Sequence, residues 1–294
     1  MDEVDLLKIL DEEDVKLQAE GHPLFARTLM LKERVCNRLG VNIFLYGGPI
    51  SSDEKRINNA LEKIYPKEDR VLNHHVGIVV WEQFIFKVTV PTVLGRRPII
   101  PMDHIEIPEV QRIRIEKDDY SLKHILDQFG DIFDMDKQYQ GLNGSLQYGE
   151  RVQSWFDNAR GYLCTATAAL SDRTGQNGAV QSGVIATELA LKTGLIAAGK
   201  SEEQCRKEYG HDTQKIIKDL PIYFPNLDVA RILRTISSWP ELVGDKYNPV
   251  RRTTEEAAVI VAGAQYVSAE VSRQIFGNCF RDRASKRWER VFPA

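Results

Sequence analysis

Residues 178–200, GAVQSGVIATELALKTGLIAAGK, constrain the fold of this chain more than any other stretch. Apolar side chains recur there at helical spacing. Val184, Leu191 and Leu195 fall on one stripe, with Ile185, Leu189 and Ile196 beside it. Gly199 is placed to end this helix. SEEQ (201–204) follows at once as a capping box, in which Ser201 and Gln204 each satisfy the other's free amide. A second capping box, TTEE (253–256), opens a long helix whose stripe is Ile260, Ala264, Val267, Val271 and Ile275, ending at Gly277. ERVQSWFDNARGYLCTATAAL (150–170) reads as one more helix, and LDVARILRTISSW (227–239), stopped by Pro240, as another. Ala186, Ala190, Ala262 and Ala264 allow close approach, and the pattern predicts an antiparallel helical bundle from residue 150 onward.

The chain before residue 150 is patterned differently. VNIFLYGG (41–48) reads as a buried strand ending in Gly47 and Gly48, followed by a helix over 51–65 with Ser52 or Asp53 as its cap. HVGIVVWEQFIFKVTV (75–90) is rich in β-branched and aromatic residues and is long enough for a bent strand or two. RRPIIPM (96–102) and VQRIRIEKD (110–118) look like further short strands, and SLKHILDQF (121–129) like a helix. DMDKQYQGLNGSLQYGE (134–150) is polar, carries three glycines and reads as a linker. The expected architecture is α/β plus all-α. A mixed α/β domain with an acidic helical N-terminus occupies 1–135, a linker 136–149, and a helical bundle with a basic tail 150–294.

A chain of 294 residues is long enough for two such domains. No apolar run reaches the roughly 18 residues that span a bilayer, and the N-terminus is acidic where a secretory leader would be basic. A cytoplasmic protein without membrane partners is expected. Cys36, Cys164, Cys205 and Cys279 are too far apart in sequence for a CxxC pair, so no metal site and no cofactor are expected. The net charge of −3 gives no global nucleic-acid footprint, but the charge is uneven. The first 14 residues hold seven acids against one lysine, whereas 281–290 hold five bases against two acids, beside Trp288.

Residues 182–220 carry a family likeness. ATELALK (186–192), then Gly199, then His211-Asp212 opening the next helix, resembles the HEPN superfamily of helical bundles, and TTEEAAVIVAGAQYVSAEV (253–271) is similar to its long closing helix. The resemblance covers roughly 150–277 and implies a prokaryotic toxin–antitoxin, CRISPR-associated or phage-defence protein, with two functional outcomes. Many members are metal-independent endoribonucleases. By that analogy Arg206 would hold the scissile phosphate, His211 would act as general acid/base on the RNA 2′-hydroxyl, and Glu188 would support them, in a site built across a dimer. Other members are non-catalytic assembly or regulatory modules that keep a His-Asp at the start of their third main helix, where His211-Asp212 falls. The ribonucleases usually carry Arg and His at the start of the last long helix. That place here, NPVRRTTEEA (248–257), has Arg251 and Arg252 but no histidine. On one continuous helix Arg206 and His211 would point about 140° apart. Gly210 is expected to break the helix between them, with Asp212 capping the next.

A third possibility rests on FLYGGPISSDEKR (44–56). Gly47, Gly48, Ser51 and Ser52 stand between a strand and a helix, where α/β proteins bind nucleotides, although the P-loop lysine is absent. The expected partners are therefore a second copy or another protein subunit, with RNA or a nucleotide as candidate ligands.

Overall fold

The computed structural model describes residues 3–22, 24–41, 51–66, 75–90, 99–140, 145–171, 175–237, 239–240, 251–277, 279–284 and 288–293. It divides into two compact units, Met1–Asn73 and His74–Ala294. Its described secondary structure is mostly helical, with one two-stranded sheet.

In the first unit every described element is a helix: α1 (Glu3–Ala19), α2 (Leu24–Leu39) and α3 (Ser52–Ile64). Leu6, Leu10, Glu13 and Leu17 recur at three- and four-residue intervals and are the buried face of α1. They pack with Leu31, Val35 and Cys36 of α2 and Ile57 and Leu61 of α3. The acids of α1 answer the bases of α2: Arg38 donates to Glu12 and Glu13, and Arg27 to Asp14. Within Met1–Asn73 the described part is therefore helical, and among the described residues the strands of the mixed α/β reading over 1–135 are those of a hairpin at 75–90. The strand expected over 41–48 lies outside the described residues except for Val41, which is in coil.

The sheet belongs to the second unit. Strands β1 (His75–Trp81) and β2 (Phe84–Val90) form an antiparallel hairpin in which Trp81 pairs with Phe84 across the turn Glu82-Gln83. Ile78 and Val80 face one core, and Val79 and Trp81 the other, as the two-residue period of a strand requires. The outer edge of β1 would leave buried peptide groups unpaired, and two glutamines fill that role. Gln265 accepts from the Ile78 N–H at 2.9 Å and donates to its carbonyl at 2.8 Å. Gln128 does the same for Val80, at 2.8 and 2.9 Å. Each side chain stands in for one peptide of a missing neighbouring strand.

VQRIRIEKD is helical where a strand was expected. It forms α4 (Glu109–Lys117), with Pro108 as N-cap and an Arg112–Glu116 ion pair one turn apart. Only Ile115 of its apolar residues is buried. The expected linker is also largely helical. Residues 134–140 continue α5 (Asp119–Gln140), and 145–150 begin α6 (Ser145–Ser171), which is broken at Gly149. Asp134 is buried there, and the division between the two compact units falls after residue 73.

The remaining elements are α7 (Gln176–Ala197), α8 (Glu202–Gln204) continuing as a π turn (Cys205–Tyr209), α9 (Thr213–Asp219), α10 (Val229–Ile236), α11 (Thr254–Phe276) and α12 (Phe280–Arg283). Both capping boxes form as the sequence predicts. Gly199 closes α7 by the paired bonds Gly199 N–H to Ile196 O and Lys200 N–H to Leu195 O. Helices α6 and α7 are antiparallel: Arg151 and Trp155, early in α6, donate to Glu202, just past the end of α7. Helices α7 and α11 run in the same sense, since Gly183 meets Val261 and Ala264 while Gly194 meets Val271. The uniformly antiparallel bundle is corrected to that extent. Helix α7 is central rather than amphipathic, with nearly every residue from Gly183 to Ile196 shielded from solvent. Among the described residues no helix is long and apolar enough to cross a membrane, and all four cysteines are free thiols.

Candidate functional site

The candidate site forms where α7 meets the start of α9. After the π turn, Gly210 adopts φ 54° and ψ −116°, a conformation closed to side-chain-bearing residues. It reverses the chain so that His211 folds back over α7. Asp212 then caps α9, accepting from the Lys215 N–H at 2.9 Å. Glu188 is buried in the middle of α7 and receives two partners. Lys192, one turn further along, donates to Oε1 at 2.6 Å. His211 Nδ1 lies 3.1 and 3.0 Å from the two carboxylate oxygens. An ionised carboxylate only accepts, so Nδ1 donates to Glu188, and in the neutral form of the ring the lone pair is on Nε2. The imidazole is held from behind while its side chain remains 63% exposed.

His211 and Glu188 line a cleft of about 430 Å3 with Thr187, Asp212, Gln214 and Trp239. Trp239 forms a wall because α11 carries glycine at 263. A Cβ there would stand 2.9 Å from the indole Cζ2 and 2.8 Å from Thr235 Cγ2. The arrangement positions an imidazole with Nδ1 engaged by Glu188 and Nε2 free of any partner among the described residues.

The residues proposed from sequence do not all converge. Glu188 and His211 come together. Arg206 does not join them: it is exposed in the π turn, is absent from the cleft wall, and its side chain makes no hydrogen bond or ion pair among the described residues. Ser51 is the N-cap of α3, accepting from the Glu54 N–H at 3.1 Å, and Ser52 is the first residue of that helix. Asp53 and Glu54 in the same first turn oppose an anion there. Gly47 and Gly48 lie outside the described residues. No group of His, Cys, Asp and Glu among the described residues is arranged to hold a metal. Lys192 and Trp239 were not singled out from sequence. The four-residue spacing from Glu188 could have pointed to Lys192, whereas nothing local marks Trp239.

A second charged cluster binds the C-terminal segment. Asp131 accepts from Arg273 at 2.9 Å and from Arg290 at 3.0 Å. Asp134 accepts from Arg273 at 2.9 Å and from the Phe280 N–H at 2.7 Å. Asp127 accepts from the Trp288 indole at 2.9 Å and from the Val291 and Phe292 amides at 2.6 and 3.0 Å. Burial pushes the Asp134 carboxyl up from 3.8 to about 6, against the opposing pull of Arg273. Arg273 itself is held well above its ordinary value, because it serves Asp131, Glu270 and Asp134 together and Asp134 has only a share of its charge. Trp288 and Arg290 of the basic tail are therefore both bonded to buried aspartates. Compared with protein-family models, curated proteins and solved structures, the chain matches none, and the HEPN likeness rests on residues 182–220 and 253–271 alone.

Proposed function

We propose that the helical unit is a non-catalytic, HEPN-like assembly or regulatory module of a conflict or phage-defence protein, with the His211 cleft as its binding point for a partner or ligand. One observation carries this reading. His211 is tied back to Glu188 at a helix start while Arg206 stands outside the cleft, so the cation that would grip a scissile phosphate is missing from beside the base. A protein subunit or a second copy is the natural partner of such a module. The test is RNA cleavage by the purified protein without added metal, with His211→Ala and Arg206→Ala beside it. The expected result is no cleavage, or cleavage that neither substitution changes. Loss of cleavage in both variants with folding intact would replace this reading.

The second reading, a metal-independent endoribonuclease, is favoured by the open Nε2 of His211 with a buried carboxylate behind it. A second subunit would have to supply the phosphate-binding cation. The nucleotide-processing alternative at Gly47 and Gly48 lies outside the described residues.

A further inference from the structure

The carboxylates that line the cleft give it one sign of charge. No lysine or arginine is among its described lining residues, while Glu188 and Asp212 both are. Lys192 offsets Glu188 from behind, bonded to its Oε1. With a neutral imidazole the set Glu188, Lys192 and Asp212 sums to one negative charge. Two of the uncharged groups also offer lone pairs. Thr187 spends its hydroxyl hydrogen on the Gly183 carbonyl at 3.1 Å. His211 spends Nδ1–H on Glu188, and its Nε2 has no partner among the described residues. Trp239 also lines the wall, and an indole attracts cations. The positive end of α9 is not available to an anion, because that helix has only seven residues and Asp212 already caps it.

We propose that this cleft binds an organic cation, a guanidinium or alkylammonium group, held by the Asp212 carboxylate and His211 Nε2 against Trp239. The proposal rests on reading the cleft as a binding point and gives that point its ligand class. A phosphate would meet a carboxylate and a lone pair; a guanidinium meets two acceptors and an indole. The volume of about 430 Å3 suits a side-chain-sized group. The cation can come from a free small molecule or from a basic side chain of a partner chain.

The experiment is calorimetric titration of the full chain at low ionic strength with three probes: agmatine, the blocked peptide acetyl-Gly-Arg-Gly-amide, and inorganic phosphate. Both cations are expected to bind and phosphate not. Asp212→Asn is the diagnostic variant, because asparagine keeps the helix cap and removes only the charge. It should weaken cation binding roughly tenfold, the scale of one charge-assisted hydrogen bond, without changing the melting temperature. Glu188→Gln serves as a second variant whose folding is checked in parallel. A peptide that binds more tightly than agmatine identifies a partner's side chain as the source; the reverse order identifies a free cation. Failure of both cations to bind, or cation binding unchanged in Asp212→Asn, overturns the proposal. Phosphate binding that His211→Ala abolishes overturns the ligand class while leaving the cleft as a binding point. Only metal-free RNA cleavage lost in both His211→Ala and Arg206→Ala overturns the non-catalytic reading itself.

Discussion

Two buried carboxylate systems in the second unit make an instructive pair. Around Asp131 and Asp134 the partners are two arginines, Arg273 and Arg290, together with the backbone of Phe280, and all the charged groups are enclosed. Around Glu188 the partners are a buried lysine and an exposed histidine. The first system closes on itself and joins α5, α11 and the C-terminal segment. The second is closed on one side only and presents an imidazole to a cleft. A buried charge in this protein is thus architectural where every partner is also buried. It becomes a candidate site where one partner reaches solvent.

The comparison can be broken at its stronger side first. Arg273→Met is expected to cost about 3–5 kcal/mol, because it leaves the buried Asp134 and the half-buried Glu270 without their cation. Equilibrium denaturation at pH 7 measures it, and a loss below about 1 kcal/mol would show that the enclosed cluster is not architectural. The next effect depends on pH. Asp134 has a folded-state value of about 6 against 3.8 for the free side chain, so the folded state holds its proton longer as pH rises. Stability contributed by protonated Asp134 is therefore lost between about pH 4 and pH 6 and stays lost above. Between pH 5 and 7 the wild type should lose about 1 kcal/mol from this group, a slope that Asp134→Asn removes. Equal pH slopes in the two proteins would rule out that protonation. The smallest effect is expected at the open side. His211→Ala should change stability by less than about 1 kcal/mol, since the ring is largely exposed and Lys192 still pairs Glu188. A cost comparable to Arg273→Met would make His211 a structural residue and remove the contrast.

Much of the helical unit is legible in the sequence where the deciding bonds are local. Ser201 with Gln204, Thr253 with Glu256, Asp212 with Lys215 and Asp228 with Arg231 each act within three residues. The glycines at 199, 210 and 277 end their helices for reasons confined to one turn. The hairpin is partly legible: its residue types announce strands, and the turn at Glu82-Gln83 gives no glycine or asparagine to mark it. Misreadings fall where a polar residue has a distant partner. Asp134 looks like linker until Arg273, 139 positions away, is placed beside it. VQRIRIEKD alternates like a strand at Ile113 and Ile115, yet Pro108 and the Arg112–Glu116 pair set it as a helix.

The candidate site divides in the same way. His211 and Glu188 were both visible as candidates, and Gly210 as the break before the histidine. Their meeting required the reversal at Gly210 to lay His211 over α7, a matter of how α9 packs. The separation of Arg206 from the cleft, and the arrival of Trp239 at its wall, depend on packing too, in the second case on the space left by Gly263. Sequence alone therefore determined the caps, the glycine stops and the identity of the ionisable groups. Hydrogen bonds across a few residues and the helical period act before any tertiary contact forms. Only the tertiary structure decided which acids are enclosed, which strand edge two glutamines complete, and which side of His211 faces the open cleft. Those outcomes depend on desolvation and on partners far away along the chain, which no local pattern encodes.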